Sequence, residues 1–380
     1  MTLALALALA WTPTAHAVEG WGLPVADYSS ETGLGLGGMG GLGWTGDAVS
    51  AADLELYLYA STGGEQDHSV WFSMEDLGGR PLSTSLWGGY ASSRFDLYCG
   101  RPSEQTCMSG SLLEARTDQF QFAHTEGYGG VLVLWGLDEG ASPWSVVGGW
   151  SGALYRAGVP RQPQPSPGTL YAARFPQGEE GMFSVLQGGL QFDTRDDEAM
   201  PMRGAWVDAT VRGGARYWGS DWGFVGGNLT ARLYVPLASE HLVSATRTGV
   251  DLVSGAQPTA TLPETGGVQS YSAPGGAELG RGISAGRFRG QAKGVGQQEL
   301  RSTFLSFELF EETATVGAVA FVDGGWVAHS LEDLQDSAAV WSTGAGLRLG
   351  WDDFILRADV GVSPAEQWYP FFYVDFDHVF

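Results

Sequence analysis

Residues 52–60 read ADLELYLYA. In an extended chain successive side chains point to opposite faces, so Leu54, Leu56 and Leu58 share one side and Asp53, Glu55, Tyr57 and Tyr59 the other. The same alternation returns along the chain. In GAWVDATVRGG (204–214) Ala205, Val207, Ala209 and Val211 oppose Trp206, Asp208, Thr210 and Arg212. In VGAVAFVDGG (316–325) Val316, Ala318, Ala320 and Val322 oppose Gly317, Val319, Phe321 and Asp323. In DFILRADVG (353–361) Phe354, Leu356, Ala358 and Val360 oppose Ile355, Arg357, Asp359 and Gly361.

A soluble sandwich would bury the apolar faces and wet the charged ones. A membrane barrel inverts this, turning the apolar face to lipid and the charged face to the lumen. Alternating segments of about ten residues, with abundant Trp and Tyr at their ends, favour the barrel. Sixteen strands are predicted, near residues 33–41, 52–61, 67–77, 83–97, 112–124, 129–137, 144–157, 182–193, 203–216, 223–236, 240–253, 294–307, 314–327, 338–350, 353–362 and 371–380. An even count puts both ends of the barrel on the periplasmic side and the long connections near 158–181 and 254–293 on the outer side.

The N-terminal end agrees with export. MTLALALALAWTPTAHA (1–17) has a short apolar core and closes on the A-x-A pattern of a cleavage site, although no Lys or Arg precedes that core. After Ala17 no stretch reaches the ~18 apolar residues of a membrane-spanning helix. Residues 18–380 therefore read as one barrel domain. In an exported chain Cys99 and Cys107 are expected to form a disulfide, placed by this strand count in a periplasmic connection.

Composition narrows the function. With 20 Lys plus Arg against 43 Asp plus Glu, the net charge of −23 opposes binding to nucleic acid. GLGLGGMGGLG (33–43) contains G-x-G-x-x-G, but a strand follows where the dinucleotide fingerprint needs a helix. DTRDDE (193–198) could be imagined around calcium; lying between strands and ahead of Pro201, it reads as a charged turn. Residues 282–286 (GISAG) spell G-x-S-x-G, but in an Arg/Gly-rich loop and not on a strand-to-helix elbow, and H-E-x-x-H does not occur, so no catalytic residue, metal or cofactor is expected.

Against this acidic background GRGISAGRFRG (280–290) gathers three arginines. An arginine in a narrow lumen needs a carboxylate, and its planar fork suits one. The chain ends in FFYVDFDHVF, with Phe372, Val374, Phe376 and Phe380 on one face, which resembles the terminal strand by which outer-membrane assembly machinery recognises its substrates. That strand together with LPVADYSSETGLGLGG (23–38), GGLQFDTRDDEAMPMRG (188–204), GRGISAGRFRG and AFVDGGWV (320–327) resembles, in order, the BamA/TamA superfamily of assembly and secretion barrels.

The resemblance implies a 16-stranded antiparallel transmembrane β-barrel in the bacterial outer membrane, with the long outer loop between strands 11 and 12 folded into the lumen. It implies a lock in which Arg281 and Gly282, with Ile283 in place of the usual aromatic, meet the strand bearing Phe321, Asp323 and Gly325. Arg287 and Arg289 are secondary candidates, reaching wall carboxylates such as Asp359. The glycine-rich strand, through Gly33, Gly35 and Gly37, would form a weak lateral seam with the terminal strand.

Members of the family usually carry periplasmic POTRA domains. Here the barrel pattern begins about fifteen residues after the cleavage site, so a POTRA-less chain is expected, working with outer-membrane lipid, with the assembly machinery during biogenesis and with a separate periplasmic or envelope protein. Two functions compete: assisted insertion or translocation of envelope proteins or lipids, and a passive barrel or narrow channel plugged by its own loop.

Overall fold

The computed structural model describes residues 15–380 apart from 31, 47–48, 109–117, 138–141, 159–167, 199, 238, 240, 310–311, 352–353 and 377. Its strands are β1 (Ala15–Ser29), β2 (Gly33–Gly46), β3 (Val49–Ser61), β4 (Gln66–Glu75), β5 (Leu82–Leu97), β6 (Gln121–Gly136), β7 (Trp144–Gly158) and β8 (Glu179–Asp193). They continue as β9 (Gly204–Gly214), β10 (Phe224–Pro236), β11 (Leu242–Gly255), β12 (Ala292–Leu309), β13 (Glu312–Ala328), β14 (Ala338–Trp351), β15 (Phe354–Val362) and β16 (Phe371–Phe376). Each strand pairs antiparallel with its sequence neighbours, and β1 pairs with β16, closing a 16-stranded barrel.

The faces are those of a membrane barrel. Leu56, Val211, Val322, Leu347 and Leu356 are exposed, whereas Asp208, Asp323, Arg348, Arg357 and Asp359 on the opposite faces are buried. Exposed aromatics cluster at strand ends: Trp135, Trp144 and Trp351 beside one rim, Tyr28, Tyr217, Trp368 and Tyr369 beside the other. All connections leaving even-numbered strands are short and lie at one rim, shared by the start of β1 and the end of β16. Connections leaving odd-numbered strands include the long ones, 98–120, 159–178 and 256–291, which puts them on the outer side.

Two departures from the expected strands offset each other in the count. Ala15–Ser29 is a strand that the alternation did not predict, and Ala15-His16-Ala17, expected as the end of a leader, opens it. Pro24 lies in that strand; proline is tolerated at edges, and among the described residues most of β1 pairs with β2 alone. Conversely, the expected strands 112–124 and 129–137 contribute to a single β6, with 112–117 outside the described residues. Gly127, Gly129 and Gly130 fall at the break between those two expected strands. They sit within the strand, where a Cβ on Gly130 would come within 2.4 Å of the Trp87 ring.

Three consequences follow. Cys99 and Cys107 are disulfide-bonded in the β5–β6 connection, hence at the outer rim and not the periplasmic one. The strand carrying Gly33, Gly35 and Gly37 is β2, paired along its length with β1 and with β3, so it does not border β16. The terminal strand stops at Phe376, leaving Phe380 off the ladder.

Candidate functional site

The 256–291 connection is anchored to the buried face of the sheet from many sides. Gly266 N donates to Asp251 (2.9 Å), Val268 N to Asp208 (2.5 Å), and Lys293 Nζ to the carbonyls of Leu262 and Glu264 (2.5 and 2.6 Å). Further along, Arg247 Nη2 and Gln297 Nε2 both donate to the Glu278 carbonyl, and Arg357 Nη1 donates to that of Ala277. Strands β9, β11, β12 and β15 thus hold one segment, each through side chains on the charged face.

At its tip Arg281 is fully buried among three carboxylates. Its Nε and Nη2 donate to Asp323 (2.9 and 3.0 Å), and its Nη1 lies 2.7 Å from Glu299 and 3.2 Å from Asp359. Its backbone N–H also donates to Asp323, and its guanidinium stacks 3.5 Å from the Phe321 ring centroid. Burial disfavours the charge, but Glu299, Asp323 and Asp359 outweigh it and raise the Arg281 pKa above the ordinary arginine value.

The tip reaches the wall because two glycines meet. Gly282 has φ +97°, and a Cβ there would lie 2.6 Å from the Gly361 carbonyl carbon; one on Gly361 would lie 2.4 Å from the Arg281 oxygen. The Gly282 N–H then donates to Tyr373 Oη of β16 (3.2 Å). Gly325 stands where a Cβ would crowd Gly294 O and Pro274. Ile283, in the place of the family's aromatic, is buried with Phe288, Val327, Val340 and the Cys99–Cys107 disulfide.

The other two arginines have different partners from those expected. Arg287 reaches Glu366 (2.7 Å), in the turn between β15 and β16, and the Cys107 carbonyl. Arg289 donates to the carbonyls of Leu97, Thr259 and Ala260 and lies over the Phe122 ring. Asp359 is not available to either, being shared by Arg281, Arg348 and Arg357.

Sequence reasoning missed Glu299. It is fully buried, 2.7 Å from Arg281 and 2.8 Å from Arg301, and it extends to Arg348 at 4.0 Å. The signal lay in the alternation of β12, where Lys293, Gln297, Glu299 and Arg301 occupy one face. Glu366 sits on a turn and had no periodicity to reveal it.

The seam is sparse. Tyr28 pairs with Val374 and Ser29 with Tyr373, both near the outer rim, and Ser30 N donates to Phe372 O (3.1 Å). Below them Ala15 to Asp27 pair with β2 alone among the described residues. Of the expected seam residues, Val374 is in the ladder and Phe372 bonds to Ser30, while Phe376 pairs with Leu356 of β15. Phe380 lies elsewhere, buried with Tyr234, Val243, Ala245 and Val379.

Comparison with known proteins agrees with this architecture. The model of the Omp85 superfamily domain matches residues 162–369. Among solved structures, BamA from Haemophilus ducreyi lacking POTRA domains 1–3 superposes with a TM-score of 0.61 at 15% identity, over 96% of this chain and 70% of that one. CdiB from Escherichia coli gives a TM-score of 0.63 at 14% identity, over 94% of this chain and 62% of that one. CdiB from Acinetobacter baumannii gives 0.53 at 12%, over 95% and 59%. No curated protein matches. The family match spans more than half of the sequence, and the chain belongs to the Omp85 superfamily, as a BamA/TamA-like β-barrel of the bacterial outer membrane.

Proposed function

We propose that this barrel assists the insertion or translocation of envelope proteins or lipids through its β1–β16 seam, together with a separate partner. The observation that carries the reading is the seam itself. Among the described residues every other neighbouring pair of strands shares six or more register pairs, but β1 and β16 share two. In hydrocarbon an unpaired strand edge is costly, and an incoming strand can satisfy it by adding to the sheet. The arginine-held connection would meanwhile keep the lumen occupied, so that passage at the seam need not open a free pore.

The second reading, a passive plugged barrel, is favoured by the density of contacts between residues 256–291 and the wall. A reversible lock separates the two. Cysteines at the paired positions Tyr28 and Val374 should crosslink under oxidation. In cells carrying this variant as the sole copy, the lock should change the protein or lipid content of the outer membrane, and reductant should reverse the change. A fully crosslinked protein with an unaltered outer membrane would support the passive barrel.

A further inference from the structure

We propose that thiol–disulfide exchange with an oxidised dithiol protein makes the Cys99–Cys107 bond before the 256–291 connection docks, and that the docked connection then seals the bond against reductant. This goes beyond the transport reading and does not depend on it.

The bond lies under the connection. Cys99 and Cys107 are 1% and 0% exposed. They share one buried cluster with Ile283 and Phe288 of the connection, with Phe120, and with Val327, Ala338 and Val340 of β13 and β14. The Arg287 carbonyl oxygen is 2.9 Å from Cys99 Sγ, and Arg287 Nε donates to the Cys107 carbonyl (2.8 Å). From there the Arg287 guanidinium reaches Glu366 in the turn between β15 and β16. Arg289 Nε donates to the carbonyl of Leu97, two residues before Cys99. The connection is therefore laid over the bond and fastened on either side of it.

Exchange needs an access that this packing denies. One cysteine thiolate attacks the partner's disulfide, forming a mixed disulfide and expelling one partner sulfur as a thiolate. The other cysteine thiolate then attacks the first cysteine's sulfur and releases the second partner sulfur. The partner's S–S bond is broken and the Cys99–Cys107 bond is made. Two electrons pass to the partner, and the two protons lost by the cysteines balance the two taken up by its thiols. Both steps need a sulfur open to another protein, and neither sulfur is open once Ile283 and Phe288 are in place. The reaction is reversible, so the cover that blocks formation after docking also blocks reduction. The coupling runs both ways, because the closed bond holds the Cys107 carbonyl where Arg287 finds it.

Reduction of the folded protein in membrane mimetic by a water-soluble phosphine tests the seal, with released thiols counted by maleimide mass shift on molecules that keep the compact gel mobility of a folded barrel. Wild type should hold its bond. Arg281→Ala, which frees the tip, and Arg287→Ala, which removes the contact at the bond itself, should be reduced at least about tenfold faster, because the connection opens more often. Where Arg281→Ala does not fold, Arg287→Ala decides alone. Reduction of wild type as fast as the variants would overturn the proposal, and so would variants as resistant as wild type, since other elements would then cover the bond. The order of events has its own test. Wild type reduced in denaturant and refolded should gain the bond when an oxidised dithiol protein is present from the start, and gain little when it is added after residues 280–290 resist protease. A reduced chain in which 280–290 never becomes resistant also supports the order, because docking then waits for the bond. Equal yields from early and late addition to a docked chain would overturn it.

Discussion

Alanine at Arg281 is expected to release the 256–291 connection from the wall and expose Gly280–Gly290 to protease. The substitution removes one cation from Glu299, Asp323 and Asp359 together, all in a site where none of the four side chains reaches solvent. Breaking a buried pair by deleting one partner typically costs about 3–5 kcal/mol, against about 0–1 kcal/mol for an exposed pair. Asp323 would lose its one ion-pair partner among the described residues, while Glu299 keeps Arg301 and Arg348, and Asp359 keeps Arg348 and Arg357, so the loss should fall within the buried-pair range. Asp323→Ala should cost less, because Glu299 and Asp359 still neutralise Arg281, and the double variant should fall well short of additivity. Arg281→Lys should not restore the wild type, since a point charge cannot make the paired bonds to Asp323 and the stack on Phe321 at once. The readout is cleavage within 280–290, or thiol labelling of Ser284→Cys, in each background. Unchanged protection in Arg281→Ala would show that the backbone contacts of Gly266, Val268 and Glu278 hold the connection by themselves.

Removing Glu299 should be at least as damaging. Its carboxylate faces Arg281, Arg301 and Arg348, and Glu299→Ala would leave three buried guanidiniums short of a counter-charge. Asp359 and Asp323 remain, so the site is not stripped of negative charge. Arg301, however, has no other carboxylate within ion-pair distance among the described residues. A loss of about 3–5 kcal/mol follows from the buried-pair rule and should lower the denaturant midpoint of the folded barrel. Glu299→Gln keeps shape and hydrogen bonding but not charge, and should fall between. Added salt should rescue little, because screening acts weakly on buried charges. A midpoint equal to wild type in Glu299→Ala would mean that the arginines find water or other acceptors, and that Glu299 is not the junction described.

Much of this was legible because the barrel writes its two faces into alternate residues. Asp323, Arg357 and Asp359 could be turned inwards from the pattern alone, and they are buried. What escaped was whatever alternation does not encode. Ala15–Ser29, with two glycines and Pro24 and followed closely by a second glycine run, lacks the apolar stripe that marks its neighbours. Placing the seam at Gly33–Gly37 was the result, since glycine weakens a ladder and β2 looked like the first strand. The break expected between 124 and 129 is absent because the chain runs straight through Gly127, Gly129 and Gly130, and Gly130 makes room for the Trp87 ring of β5. For the loop, the motif drew attention to Arg281 and Asp323, but the partners of Arg287 and Arg289 come from turns and carbonyls that no spacing announces.

Among the described residues the barrel closes through a seam that is complete only at its outer end. Amide hydrogen exchange of the folded protein in membrane mimetic tests it most directly, because exchange reports how often each ladder opens. The Ala15–Asp27 part of β1 and the end of β16 should exchange far faster than β12 and β13, whose ladder runs from Ala292–Ala328 to Leu309–Glu312. Protection along β1 equal to that of β12 would contradict it, and with it the seam as a place of entry.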